Sequence, residues 1–348
     1  MENISVKSTR KRCKMGIRIL KGGMMTTVQD LGRTGYQSQG FSVAGVMDVR
    51  SFKIANLLLD NPENEAVLEF TLIGPTLEFT SATIIAITGG NFQPQVNGEP
   101  VPMYTALYMN KGDILKFGSA RTGSRGYIAF SSYLEIPVVM GSRCTNMKSS
   151  IGGFKGRKLQ AGDYMNFRIK RRYLPFFLSR KLEPENFDQD SAEIRVVMGP
   201  QDDLFSKQGI ETFLNQEYTV TSDFDRMGCR LEGPFIAPKE TSDIISDGIA
   251  FGSVQVPSHG KPIILLSDRQ TTGGYAKIAT VASVDIPKVV QRKTDHKLRF
   301  RAITVQEAQN LYLKEIKELD AMRTIIHQPC KEVLDCRLVA KRLMKLFE

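Results

Sequence analysis

Nothing in this 348-residue sequence is apolar over the roughly 20 consecutive residues that cross a bilayer, which excludes a helical membrane span. Histidine is scarce: His259, His296 and His327 lie far apart. Cysteine occurs five times (Cys13, Cys144, Cys229, Cys330 and Cys336), scattered and never as a CxxC pair. Neither residue type shows zinc-ligand spacing, so no metal site is expected. An odd set of dispersed cysteines in a chain of this length argues for reduced thiols, not a disulfide framework. No GxxxxGK[ST] loop is present, which excludes that mode of ATP binding. "GFSVAG" is not a GxSxG nucleophile elbow, and no histidine adjoins a suitable serine. Cys144 in "GSRCTN" has no nearby histidine to activate it. A biotin-attachment MKM sequence is missing as well. The leader "MENISVKSTRKRCK" is basic but lacks the apolar core of a secretory signal. The expected location is the cytoplasm.

Apolar residues make up 41% of the chain and charged residues 24%, a balance that suits globular domains, and the length allows two. The net charge of +10 is concentrated in the leader (Lys7, Arg10, Lys11, Arg12, Lys14) and in "KRRYLPFFLSRK" at 170–181. Neither stretch belongs to a nucleic-acid fold. Solvated charge, or attraction of anionic substrates, is the expectation, with no nucleic-acid and no membrane partner.

Most segments read as strands: "TIIAIT" (83–88), "GYIAF" (126–130), "EIRVVM" (193–198) and "KPIILLS" (261–267) are short, β-branched and bounded by turn residues. Helical spacing appears at 48–61, with Asp48 as N-cap, at 304–326 after Thr304, and again in "EVLDCRLVAKRLMKLF". Four pairs of blocks recur in one order. "IRILKG" resembles "IRVVMG", "DLGRTGYQSQG" resembles "DFDRMGCRLEG", "TIIAITGGNF" resembles "PIILLSDRQT", and "GDILKF" resembles "DHKLRF". The predicted fold is mainly β, with two β-barrel-like domains in tandem, a few helices and a helical C-terminal tail. The boundaries are a basic extension (1–14), a first barrel (15–171), a linker (172–190), a second barrel (191–311) and a helical extension (312–348).

Two motifs carry concentrated polar chemistry. In "TTVQDLGRTGYQSQGFSVAGVMD" (26–48), Asp30 and Arg33 are spaced to form an ion pair, and Asp223 and Arg226 repeat the arrangement. Duplication of that kind fits a structural corner. The second motif, "SDRQTTGGYAKIATVASVDIP" (267–287), meets only "TGGNFQP" at the corresponding place in the first half, so here the halves diverge. A strand running into paired glycines lets backbone N–H groups approach an anion. Gln270, Thr271 and Thr272 donate and accept, which suits an amide or lactam; Lys277 can stabilise developing negative charge, and Asp268 can accept a proton. Asp247 and Gln255 in "SDGIAFGSVQVP" precede the same strand and are expected nearby.

The blocks "TVQDLGRTGYQSQG", "GSRCTN", "GPQDDLF", "DRMGCRLEGP", "SDGIAFGSVQVP" and "LLSDRQTTGGYAKIATV", in this order, resemble the biotin-dependent carboxyltransferase / allophanate hydrolase subunit 2 family over about residues 15–311. That family includes the C-type subunit of bacterial 5-oxoprolinases. The resemblance implies tandem cyclophilin-like barrels. It further implies a protein acting with A- and B-type subunits to hydrolyse 5-oxo-L-proline to L-glutamate, with ATP consumed by the complex. Its alternatives are carboxyl transfer from biotin to urea or a similar amide, and non-catalytic antagonism of a kinase inhibitor. Carried over residue by residue, it assigns catalytic roles to Lys277, Asp268 and Asp247. Substrate contacts fall to Gln255, Gln270, Thr271, Thr272, Tyr275, Asp30, Arg33, Asp48 and Arg226. The sequence departs from the family pattern at Val46 and at Cys144-Thr145-Asn146.

Overall fold

A computed structural model describes residues 15–329. The basic leader and the helical pattern at 332–347 lie outside the described residues. Among those described, no helix is long and apolar enough to cross a membrane.

The chain is mainly β, as its short β-branched runs predict. In the first half two sheets enclose a core. One runs β11 (Tyr164–Asn166), β1 (Gly16–Lys21), β4 (Thr76–Phe79), β9 (Ile114–Lys116), β6 (Gln95–Val96), β7 (Glu99–Pro100). The other runs β2 (Met25–Gln29), β3 (Val67–Thr71), β10 (Thr122–Phe130), β5 (Thr83–Asn91), β8 (Ala106–Met109). The unbroken apolar run "TIIAIT" has a physical cause. Ile85 and Ile87 join Leu68, Phe70, Ile128 and Phe130 in the inter-sheet core. Ile84 and Ala86 join Tyr127 and Ala129 in a second cluster with helix α1 (Val49–Leu58). With both faces covered, the polar alternation of a half-exposed strand is not needed.

The second half is a closed barrel of seven strands. Its order is β12 (Ser191–Met198), β19 (Lys277–Val281), β16 (Ser253–Gln255), β17 (Ile263–Leu265), β14 (Gly228–Glu232), β13 (Glu217–Phe224), β20 (Lys297–Ala302). A parallel β12–β20 pair closes it. A two-stranded ribbon, β15 (Asp243–Gly248) with β18 (Thr272–Tyr275), stands beside the barrel. Helices α2 (Lys207–Asn215) and α3 (Ile286–Val290) complete this half.

Asp48 caps α1 through a bond from the Ser51 N–H, as expected. Helix α4 (Val305–Ile326) starts in a Thr304/Glu307 capping box. It runs without a break through the boundary expected at 311/312. Leu319, Met322 and Ile326 pack on the α1 cluster, and Arg50 of α1 reaches Glu318 at 3.1 Å. The helix thus follows the second barrel in sequence but braces the first half. The expected linker is a docked strap, because Leu174 and Arg180 are buried. The Arg180 guanidinium donates to the Leu58 carbonyl at 3.0 Å and pairs with Asp60.

The repeated blocks do not occupy equal places. β1 has antiparallel neighbours on both sides, whereas β12 has a parallel one. Residues 30–40 form loop and a 3-10 turn, whereas 223–233 hold the β13–β14 hairpin. Strands share local apolar patterning, so similarity between two strand segments does not fix their place in a ladder.

What joins the halves is buried and polar. Arg226 donates to Asp268 from two nitrogens, each at 3.0 Å. It also reaches Glu69 and the Gly45 carbonyl of the first half. Burial alone would weaken its charge, but Asp268 and Glu69 outweigh that and raise its pKa. Glu69 accepts the Met47 N–H (2.8 Å) and the Tyr127 hydroxyl (3.0 Å). The Gln291 amide donates to Asp48 at 2.9 Å, and its oxygen accepts the N–H groups of Ser124 and Arg125. Met47 itself sits in the second half's core. Arg226→Met leaves two buried carboxylates without their cation and is expected to cost about 3–5 kcal/mol in denaturant unfolding. A loss below about 1 kcal/mol, the range of ordinary surface changes, would show that this cation does not hold the halves together.

Candidate functional site

The polar stretch 267–277 divides into three groups because it leaves the barrel and returns. Ser267, Asp268 and Arg269 turn inward. The Ser267 hydroxyl donates to the Val46 carbonyl at 2.9 Å, and Asp268 is the Arg226 partner. Arg269 donates to the Ile249 (3.0 Å) and Leu266 (3.2 Å) carbonyls, and burial lowers its pKa. These three secure the exit of β17. Gln270 to Tyr275 turn outward into the ribbon. Ala276 and Lys277 turn inward again as β19 begins.

A cleft of about 620 Å³ lies on the outward side. Gln255, Gln270, Tyr275, Asp223, Arg230 and His259 are among the residues that line it. Gln255 is only 2% exposed. Its amide nitrogen donates to the Tyr275 carbonyl at 3.2 Å, while its amide oxygen takes no donor among the described residues. Gly273 makes this approach possible, since a Cβ there would stand 2.9 Å from the Gln255 nitrogen. The glutamines can therefore both donate to a carbonyl and accept from an amide N–H.

Lys277 does not line the cleft. Its ammonium donates to Asp247 of β15 at 2.8 Å. The Gln201 amide nitrogen meets the same carboxylate at 3.3 Å, and its oxygen accepts the Lys277 N–H at 3.1 Å. Lys277 is buried at 2% exposure, whereas the Asp247 side chain is 54% exposed. Lys277 holds the Asp247 carboxyl below its usual value. A half-exposed ion pair thus helps to fasten the ribbon to the barrel, beside the Gln255–Tyr275 and Gln201–Asp247 bonds.

The remaining predicted residues lie apart. Thr271 is half-buried and Thr272 exposed, and neither lines the cleft. Asp30 and Arg33 do not form the expected ion pair. Asp30 accepts from the Gly32 N–H, the Ser142 hydroxyl and the Arg143 N–H, at 2.9, 2.6 and 2.6 Å. Arg33 donates to the carbonyls of Val139 (3.0 Å) and Cys144 (3.2 Å). Each finds enough partners in the 139–144 turn, so together they staple that turn to the end of β2. Cys144 is buried there, and burial pushes its thiol pKa up. Asp48 is fully buried under Gln291 and Ser51, and burial raises its pKa. Asp223 does not pair with Arg226, whose donors are taken by Asp268, Glu69 and Gly45.

Four residues that matter here escaped sequence reasoning: Gln201, Arg230, Glu69 and Gln291. Gln201 follows Gly-Pro in "GPQDDLF", a block that carries the family resemblance without pointing to a role. Glu69 had a signal, a lone carboxylate inside the apolar strand "VLEFT".

The family described as carboxyltransferase domain, subdomain A and B, matches residues 39–302. The C-type 5-oxoprolinase subunit of Haemophilus influenzae is 34% identical over 315 residues, covering 90% of this chain and 99% of that protein. Its Escherichia coli namesake is 33% identical, covering 84% and 93%. The crystal structure of the K. lactis urea amidolyase superposes with a TM-score of 0.83 at 27% identity, over 94% of this chain. This chain spans 21% of that much longer one.

Asp247→Asn is expected to speed modification of Lys277 by an amine-reactive reagent severalfold, read by mass spectrometry, with little change in melting temperature. In the native protein the same pairing persists above the ordinary carboxyl range near 4 and is lost as pH falls through the lowered Asp247 value. Unchanged reactivity in the variant would show that Asp247 does not shield the amine.

Proposed function

The chain belongs to the family of carboxyltransferase domains with subdomains A and B, and from that premise we propose that it is the C-type subunit of an ATP-dependent 5-oxoprolinase. It hydrolyses 5-oxo-L-proline to L-glutamate in assembly with A- and B-type subunits. The observation that carries this reading is the match, 34% identical, that takes in 99% of a C-type 5-oxoprolinase subunit. The cleft supports it with chemistry suited to a lactam. Gln255 offers a free acceptor to the ring N–H, and Gln270 offers donors to the ring carbonyl. Water adds across the lactam C–N bond: oxygen goes to the carbonyl carbon and a proton to the nitrogen. The buried Asp268, tied to Arg226, is assigned to holding the strand exit and not to proton transfer.

A second reading, carboxyl transfer to an amide, is favoured by the superposition on urea amidolyase. The same glutamines fit the ureido group of biotin, which when bound supplies the carboxyl group. In that case separate chains carry the biotin.

Glutamate release from 5-oxo-L-proline and ATP is expected only when this chain is combined with A- and B-type subunits. Gln255→Ala and Gln270→Ala are each expected to lower it more than tenfold, with assembly and melting temperature kept. Full activity in both variants would remove the cleft from the reaction. Inactivity of an assembled wild-type mixture would leave carboxyl transfer as the reading to pursue.

A further inference from the structure

We propose that Asp223 and Arg230 read the α-nitrogen and the α-carboxylate of an amino-acid-like substrate in the cleft, an inference that rests on the lactam reading above. Asp223 is carried by β13 and Arg230 by the adjoining β14, and both line the cleft with Gln255 and Gln270. Arg226, the sequence neighbour able to neutralise Asp223, is committed to Asp268, Glu69 and the Gly45 carbonyl. The Asp223 carboxylate is left with no side-chain partner among the described residues; only its N–H is used, donating to the Thr221 hydroxyl. The Arg230 guanidinium has none either; the residue is engaged through its backbone alone, which pairs with Ile263 in the sheet and whose carbonyl accepts the Thr221 hydroxyl at 3.1 Å. The cleft's other acid, Asp225, accepts the N–H groups of Met227 and Gly228, at 2.8 and 3.1 Å. One uncommitted anion and one uncommitted cation therefore face the same space as the buried Gln255, whose amide oxygen awaits a donor.

In 5-oxo-L-proline a single carbon bears both the ring nitrogen and the carboxylate. Hydrolysis changes the far carbonyl and leaves that carbon in place, its nitrogen converted from amide to ammonium. A guanidinium takes a carboxylate through two parallel N–H bonds. The single ring N–H is taken by Gln255, and an aspartate accepts from the ammonium that replaces it in the product. Arg230 thus grips the carboxylate that substrate and product share, Asp223 takes the nitrogen once it is an ammonium, and the glutamines face the amide that reacts. Urea carries no carboxylate, so Arg230 also separates the lactam from urea. A site built for a charged or polar group rejects the analogue without it.

The test is calorimetric titration of the full chain, alone and assembled with its A- and B-type subunits, with 5-oxo-L-proline, L-glutamate, 2-pyrrolidinone and urea. The wild-type protein is expected to prefer 5-oxo-L-proline over 2-pyrrolidinone by about 10- to 100-fold, the worth of a hydrogen-bonded charge. Arg230→Gln is expected to erase that preference without weakening 2-pyrrolidinone. Asp223→Asn is expected to weaken L-glutamate more than 5-oxo-L-proline. Lactams bound equally well with and without the carboxylate, or weakened together in Arg230→Gln, would overturn the reader and leave the lactam cleft standing. Failure of both lactams to bind the chain in either state would overturn the cleft reading and the reader together.

Discussion

The Arg226 guanidinium lies where the two halves meet, and its N–H groups are divided between a carboxylate of its own barrel and two acceptors of the other half. Taking such a cation out of water costs several kcal/mol unless nearly every donor is matched. Matching these donors requires Glu69, Gly45 and Asp268 to arrive together, which fixes one relative placement of the halves. Around it the Tyr127 hydroxyl donates to Glu69 and the Gln291 amide to Asp48. The junction therefore specifies a geometry where an apolar interface would allow sliding.

That geometry positions the cleft. Asp268 is held by Arg226 and Ser267 by the Val46 carbonyl, so the chain leaves β17 along one path. Only the residues after it, from Gln270 to Tyr275, are free to form the ribbon. The inward return at Ala276 and Lys277 then closes the excursion, and the Lys277–Asp247 pair fastens it. The Gln255 bond to the Tyr275 carbonyl ties the far end of the ribbon to the barrel as well.

The fold was legible where local chemistry decides it. The run "TIIAIT", the Asp48 cap and the Thr304 capping box all point to the elements observed. What the sequence did not disclose depends on partners distant along the chain. Asp30 and Arg33 have pairing distance in sequence, yet each finds better partners more than a hundred residues away, in the 139–144 turn. The duplicated Asp/Arg spacing misled for the same reason, because Arg226 responds to Glu69, 157 residues away, and not to Asp223. In the loop 267–277 residue types were read correctly as polar. Which of them face inward follows from the register of β15 with β18, which no local pattern reveals.

The division of labour among polar residues also bears on where chemistry can occur. Nearly every buried charge here is paired with another charge or bonded to backbone, as the cost of desolvation requires. On the cleft, by contrast, the Gln255 amide oxygen, the Asp223 carboxylate and the Arg230 guanidinium have no partner among the described residues. Asp30, Arg33, Asp48 and Arg226 stand on the other side of this division, with their hydrogen bonds spent on holding the scaffold.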